Sequence, residues 1–377
     1  MTNRKVLFVT TVSATIKGFL IPYARHFRKK GWTVVAVANG VTPQWEAANE
    51  FDANYGMQWS RSPFDLISLI NAISRLRKIL KDERPDIVHC HTPIAAFICR
   101  LTRATLIKHP IPKILYTAHG FHFISTNPWY KNLIFIALEK IAGIWTDHII
   151  VINNDDYNNA LKYKIISKDQ LTHVKGVGIE KNYLKNSNAS SSLNSIITPG
   201  VFTFVFVAEY TPNKRHIDLI DAAKIIGDKY NYQVILIGAG QLLNEIEDEI
   251  HTNNLSTKIK IAGHQTDVSS FYQRADCSLL LSLREGLPRS LMEAMFYSLP
   301  IIATDIRGNN ELVDDDNGCL INTADPKQLA EAMINMINDP QKAKAKGRKG
   351  RSKLEPYFFE NVIQDVEKIY LSLAENT

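Results

Sequence analysis

An α/β protein of two doubly wound parallel-sheet domains in series is the fold class this sequence predicts, on three observations. Apolar, β-branched runs alternate with helical segments along the whole chain, the pattern of parallel strands joined by crossover helices. The alternation halts once, over 186–195, where Asn-Ser-Asn-Ala-Ser-Ser-Ser-Leu-Asn-Ser has the bias of a surface segment, and then restarts. A chain of 377 residues, 45% hydrophobic and 22% charged, suffices for two cores of ordinary size.

The first domain, 1–190, takes strands at 6–10, 33–38, 87–90, 113–117 and 148–152, with helices at 19–30, 66–81 and 129–144 between them. The second, 196–357, takes strands at 202–207, 233–237, 259–262, 277–281, 301–303 and 319–321. The last segment, 358–374, reads as an amphipathic helix following Pro356. Periodicity leaves open whether it ends the second domain or packs back, with the rest of 358–377, on the first. Doubly wound sheets bind ligands beyond the carboxyl ends of their strands, so two such domains facing each other place a site in the cleft between them.

Composition narrows the classes. No run approaches the ~18 apolar residues of a membrane span, and the polar opening Met1-Thr-Asn-Arg-Lys leads straight into a strand, so a cytoplasmic protein is expected. Cys90, Cys99, Cys277 and Cys319 are scattered without metal-ligand spacing and read as reduced packing residues. Residues 1–200 carry 25 basic against 13 acidic side chains, and residues 201–377 carry 19 against 25. A basic half beside an acidic one fits an anionic lipid surface, a phosphorylated substrate or nucleic acid, and equally ordinary solvated faces.

The densest chemistry lies at Ser282-Leu-Arg-Glu-Gly-Leu-Pro-Arg-Ser-Leu-Met-Glu-Ala-Met, directly after a predicted strand. Glu285 falls on the strand-exit loop, Gly286 and Pro288 shape a turn, and Ser290 or a neighbour opens the helix that carries Glu293. Backbone N–H groups at such a helix start receive phosphate, whereas carboxylates repel it and suit the hydroxyls of a sugar and a ribose. A loop that serves both phosphate and polyol points to a nucleotide sugar. A second strand exit, Val207-Ala-Glu-Tyr-Thr-Pro-Asn-Lys-Arg-His, places Lys214 and Arg215 where they can neutralise a diphosphate. Ile237-Gly-Ala-Gly-Gln is a glycine turn of the kind found near nucleotides. In the first half, His91 and the pair His119 and His122 follow strands and by the strand-exit rule point toward the cleft; for His89 and His122 a structural role is the leading reading.

The pattern Glu-Gly-x-Pro-x-x-x-x-Glu-Ala beginning at Glu285, with Val88-His-Cys-His-Thr-Pro and Tyr116-Thr-Ala-His-Gly-Phe-His-Phe, resembles glycosyltransferase family 4, and within it the bacterial branch that builds capsule, exopolysaccharide and lipid-linked glycans. The resemblance spans nearly the whole chain. It implies the GT-B fold, retention of anomeric configuration, a nucleotide-diphosphate sugar donor with uridine the usual base, and chemistry that needs neither metal nor other cofactor. It implies that Glu285 holds donor-sugar hydroxyls, Glu293 the ribose, His119 the donor sugar and Lys214 the diphosphate. Backbone at Gly286, Leu287, Gly238, Gly240 and, in the loop after the first strand, Gly18 would approach the donor. His91 and His122 would serve the acceptor. The chain departs from the family at Glu209, which stands where an Arg five residues before the Lys is usual, and this leaves Lys214, with Arg215 as neighbour, as the main phosphate ligand.

The acceptor is expected to be a polyprenyl-diphosphate-linked or other membrane glycan. Basic clusters at Arg25-His-Phe-Arg-Lys-Lys, Arg75-Leu-Arg-Lys-Ile-Leu-Lys and Arg100-Leu-Thr-Arg, with the apolar run after Pro128, suit docking to an anionic inner leaflet. A nucleotide-sugar epimerase of the same fold is the alternative; a non-catalytic nucleic-acid binder would explain the basic half but not Glu285, Glu293 and Lys214. A phosphorylase would need a Schiff-base Lys motif, and a nicotinamide dehydrogenase a Gly-x-Gly-x-x-Gly after the first strand; neither is present.

Overall fold

The computed structural model describes residues 4–59, 65–106, 111–124, 127–181 and 196–375. The chain divides into two compact units. Unit 1 comprises Met1–Gly178 with Phe359–Thr377, and unit 2 comprises Ile179–Phe358. The Ser/Asn-rich stretch 186–195, read above as the boundary, lies wholly outside the described residues. The closing helix Phe359–Glu375 belongs to unit 1.

Unit 1 holds a parallel sheet of order β3-β2-β1-β4-β5-β6-β7, formed by β1 Lys5–Val12, β2 Thr33–Asn39, β3 Ala53–Gly56, β4 Ile87–His91, β5 Lys113–Ala118, β6 His148–Val151 and β7 Leu171–His173. Unit 2 holds β10-β9-β8-β11-β12-β13, formed by β8 Phe202–Val207, β9 Tyr232–Ile237, β10 Ile259–Gly263, β11 Cys277–Leu280, β12 Ile301–Thr304 and β13 Gly318–Ile321. All pairs are parallel. Strands buried on both faces are apolar almost throughout: in β9, Tyr-Gln-Val-Ile-Leu-Ile, all six residues are buried, and polar Gln233 is satisfied by Thr198 O and Thr203 Oγ1, each at 2.9 Å. Each predicted strand is present to within two residues at either end. The edge strands β3 (Ala-Asn-Tyr-Gly) and β7 (Leu-Thr-His) escaped the reading because neither carries an apolar run.

Helix starts follow local chemistry. Asp65, Asn153, Asp325 and Asp339 each accept a hydrogen bond from the N–H three residues on, which satisfies a donor that the first turn leaves unpaired. After β1, however, the loop expected around Lys17 and Gly18 is a π-helical stretch, Ile16–Leu20, that runs into the helix Ile21–Lys29. Ile16 and Leu20, at the two ends of the stretch, are buried. No helix among the described residues is long and apolar enough to cross a membrane.

The helix Phe359–Glu375 is fastened to unit 1 by polar and aromatic contacts. Tyr370 Oη is 2.6 Å from His89 Nδ1 on β4, whose Nε2 is 2.7 Å from Thr117 Oγ1 on β5. The Tyr370 ring stacks on Phe27 at 4.3 Å, and Glu367 meets His26 and Lys30. His89 is thereby a satisfied structural residue, one of the two readings its sequence position allowed. Tyr370→Phe keeps the ring stack but leaves His89 Nδ1 unpaired in the core. Urea unfolding of the variant should show a loss of about 1–3 kcal/mol relative to wild type.

Candidate functional site

Each sheet has one place where neighbouring strands send their connections in opposite directions: β1 and β4 in unit 1, β8 and β11 in unit 2. Diverging connections leave a crevice beyond the strand ends, and in doubly wound sheets this is where ligands bind.

In unit 2 the two strand exits singled out in the sequence meet there. Lys214 ends a 3-10 turn, Pro212–Lys214, after β8, and its Nζ is paired with Glu285 Oε1 on the loop after β11. Ser282 Oγ donates to the same carboxylate oxygen at 2.6 Å. The two loops are also joined through their backbones: Leu283 N donates to Asn213 O at 2.8 Å, and Asn213 Nδ2 to Arg284 O at 3.0 Å. The pair is largely buried, so each charge depends on the other for its stabilisation. Arg215 is not drawn into this group. It adopts a left-handed conformation (φ 54°) just before the helix His216–Ile226 and pairs with Asp218 in that helix's first turn.

The helix Arg289–Phe296 begins immediately after Pro288, with no side chain capping its first N–H groups. Ser290 lies in its first turn and its carbonyl accepts from Tyr272 Oη at 3.0 Å. Glu293 is buried and accepts from Arg289 Nε at 2.9 Å. Burial pushes its carboxyl above the usual range, opposed by Arg289. Gly238 and Gly240 have a packing reason to be glycine, since a Cβ would stand 2.0 Å from Ala208 O and 2.5 Å from Tyr210 O. They let the loop after β9 lie against the loop after β8. Glu209 is exposed at the end of β8.

Two supports of Glu285 were missed in the sequence. Arg307 Nε donates to the Glu285 carbonyl at 3.2 Å, and Gly308 (φ 84°) packs on Gly286, where a Cβ would come 2.3 Å from the Gly286 oxygen. Buried Asn309 then donates to Thr304 O at 3.0 Å, and Thr304 Oγ1 to Ser282 O at 2.6 Å. The only signal in the sequence was an Arg-Gly-Asn turn after a strand, which is common in this fold class.

In unit 1, β1 and β4 are tied at their ends by Thr11 N and Oγ1, 3.0 and 2.7 Å from Thr92 Oγ1. Thr92 holds φ 65°, ψ 138°, a costly conformation for a β-branched residue. His91 is buried, and its Nδ1 is 3.0 Å from Nε2 of half-buried His119. Burial holds these imidazoles neutral: His119 is pushed down to about 4, His89 to about 3 and His91 well below 6.5. His122 stands apart from the pair, with its ring 5.5 Å from Phe135. The loop that carries these residues is fixed by Asp156, whose carboxylate oxygens accept from Phe121 N at 3.3 Å and which the Asn153 cap holds in place. A Cβ at Gly18 would meet nothing within 4 Å, so packing does not require glycine there.

Two of the three basic clusters singled out in unit 1 are largely paired with acids. Arg25 pairs with Glu50, Arg28 with Asp52 and Lys30 with Glu367; Arg100 is fully buried against Glu139, and Arg103 pairs with Asp147. The four cysteines are free thiols, three of them buried. Among the described residues no group of three or more His, Cys, Asp or Glu side chains is placed to hold a metal ion.

Gly308→Ala tests the support of Glu285 directly. The added Cβ combines a positive φ with a clash against backbone, so the variant should unfold at lower temperature, with a loss of about 1–3 kcal/mol.

Comparison with known proteins agrees with this architecture. The profile for group 1 glycosyl transferases matches residues 195–353, and that for glycosyltransferase family 4 matches residues 21–174. EpsD of Bacillus subtilis is 29% identical over 376 residues, covering 98% of this chain and 96% of its own. A UDP-Gal:alpha-D-GlcNAc-diphosphoundecaprenol alpha-1,3-galactosyltransferase of Escherichia coli is 28% identical over 322 residues, 82% of this chain and 81% of its own. The uncharacterized glycosyltransferase MJ1178 of Methanocaldococcus jannaschii is 30% identical over 315 residues, 81% of each. Among solved structures, Anabaena HepE in complex with UDP-glucose superposes with a TM-score of 0.78 at 17% identity, covering 98% of this chain and 99% of that one.

Proposed function

We propose, from the premise that the chain belongs to glycosyltransferase family 4 and has the GT-B fold, that it is a retaining transferase. In this reading it moves a hexose or N-acetylhexosamine from a UDP-sugar to a polyprenyl-diphosphate-linked glycan, in the synthesis of a capsule or exopolysaccharide. The observation that carries the reading is the Lys214–Glu285 pair at the β8/β11 switch point, one short turn from the uncapped start of the helix Arg289–Phe296. A cation, a carboxylate and the N–H groups of a helix start within one loop system are what a diphosphate and a polyol require together. The relative that acts on a diphosphoundecaprenol-linked sugar with a UDP-galactose donor supports the choice of donor and acceptor, and HepE with bound UDP-glucose supports the donor class.

In this mechanism Glu285 orients Lys214, and Lys214 neutralises the diphosphate, whose charge grows as the bond to the sugar breaks. Helix N–H groups near Gly286 and Leu287 hold the same oxygens, and buried Glu293 accepts from the ribose. The acceptor hydroxyl attacks from the face that the diphosphate leaves, and a diphosphate oxygen takes its proton, so configuration is retained without an enzyme nucleophile. Neutral His119, fixed by His91, hydrogen-bonds the donor sugar. Acceptor chemistry of this class puts the protein on the cytoplasmic face of the membrane.

Turnover of a panel of nucleotide sugars, with and without lipid extract, tests the reading. Lipid-dependent transfer should fall about 10²–10³-fold in Lys214→Ala, and Glu293→Ala should raise KM for the donor. Conversion of the donor without lipid would instead identify an epimerase. Excess EDTA should leave the wild-type rate unchanged; strict dependence on a divalent ion would refute metal-independent transfer.

A further inference from the structure

The helix Trp129–Gly143 of unit 1 is apolar on two sides. Phe135, Ile136 and buried Ala142 meet the core, and two polar residues are turned to the domain and satisfied there: Asn132 bonds both backbone groups of Ile124, at 3.1 and 2.8 Å, and Glu139 accepts from fully buried Arg100 at 2.8 Å. Arg100 is further held by Ala96 O at 3.1 Å and lies over the Tyr116 ring at 4.4 Å. A second set of apolar residues faces outward. Trp129 is 77% exposed and Ile144, just past the helix, 74%, while Leu133 and Ile134 are each more than half exposed and Tyr130 and Ile141 about half. These positions recur at three- and four-residue intervals, so they form one continuous face.

A soluble helix turns its polar side to water; here Asn132 and Glu139 are spent on the domain and an apolar face is left outside. We infer that this face lies in the headgroup–acyl boundary of an anionic lipid bilayer, parallel to the membrane plane, and anchors unit 1 there. The inference rests on the lipid-linked acceptor proposed above and names the element that meets the lipid. Fifteen residues of helix extend about 22 Å, too short to span a bilayer and suited to lying in its surface. The aromatic pair Trp129 and Tyr130 stands at one end, and rings of that kind favour the interface.

The charges favour lipid over a second copy of the chain. Lys131 and Lys140 flank the apolar face, and the one carboxylate of the helix, Glu139, is turned inward. A symmetric dimer through this face would bring lysines toward lysines with no acid of this helix between them, whereas lysine stems reach readily to lipid phosphate. On the neighbouring layer, the helix Leu66–Glu83 adds exposed Ile67 and Ile70 followed by exposed Arg75 and Lys78, continuing the same sequence of apolar then basic groups. With the other basic clusters paired internally, it is apolar insertion that supplies the binding.

Flotation of the full-length protein with phosphatidylcholine vesicles, with and without phosphatidylglycerol and without any acceptor, is the test. Wild type should float with the mixed vesicles, and Ile134→Glu with Ile141→Glu should cut partitioning at least tenfold, roughly the loss of one buried aliphatic side chain. Lys131→Gln with Lys140→Gln should remove only the salt-sensitive, phosphatidylglycerol-dependent part. Because the substituted positions are exposed, far-UV circular dichroism and UDP binding should be unchanged, which separates loss of docking from loss of fold. Unchanged flotation of the Glu variant, or a wild-type dimer in solution that the Glu variant makes monomeric, would overturn the inference. Transfer to a detergent-solubilised acceptor reports separately on the catalytic reading: its absence beside normal flotation would sink that reading alone.

Discussion

Parallel sheets impose one constraint from which the functional geometry follows. Every connection must leave a strand at its carboxyl end, and wherever the direction of winding reverses, two adjacent loops part. In unit 2 that parting brings together Lys214 and Glu285, 71 residues apart in sequence. In unit 1 it brings together Thr11 and Thr92, 81 residues apart. Neither pairing needs any local relation between the segments involved. The sheet order supplies the proximity, and side chains only have to be of the right kind when they arrive.

The two units spend charge differently. At the unit 2 crevice a cation and a carboxylate meet as a largely buried ion pair. In unit 1 burial holds His89, His91 and His119 neutral, so that they act as hydrogen-bonding groups and not as charges.

Much of this was legible in the sequence because it rests on periodicity and strand exits. The long β-branched strands announced themselves, as did the loop from Ser282 to Glu293. What escaped did so for identifiable reasons. Ala53–Gly56 and Leu171–His173 are strands only because a neighbour's edge was available to them. Arg307 and Gly308 matter through the loop that they support and bear no pattern of their own. The pairing of two basic clusters was not legible because net charge along a helix says nothing of partners supplied from elsewhere, such as Glu50, Asp52, Asp147 and Glu367. The exposure of the face from Trp129 to Ile144 was equally invisible, since an apolar run reads the same whether it meets a core or a membrane.

The attachment of the closing helix to unit 1 bears on how the chain is made. Synthesis is vectorial, yet Tyr370, which follows the whole of unit 2 in the chain, contributes the ring against Phe27 and the partner of His89. Unit 2 is sequence-continuous and free to fold while unit 1 is still unfinished; unit 1, whose larger part is made before unit 2, waits for the helix made after it. A premature stop between residues 358 and 370 would therefore spare the later unit and strike the earlier one.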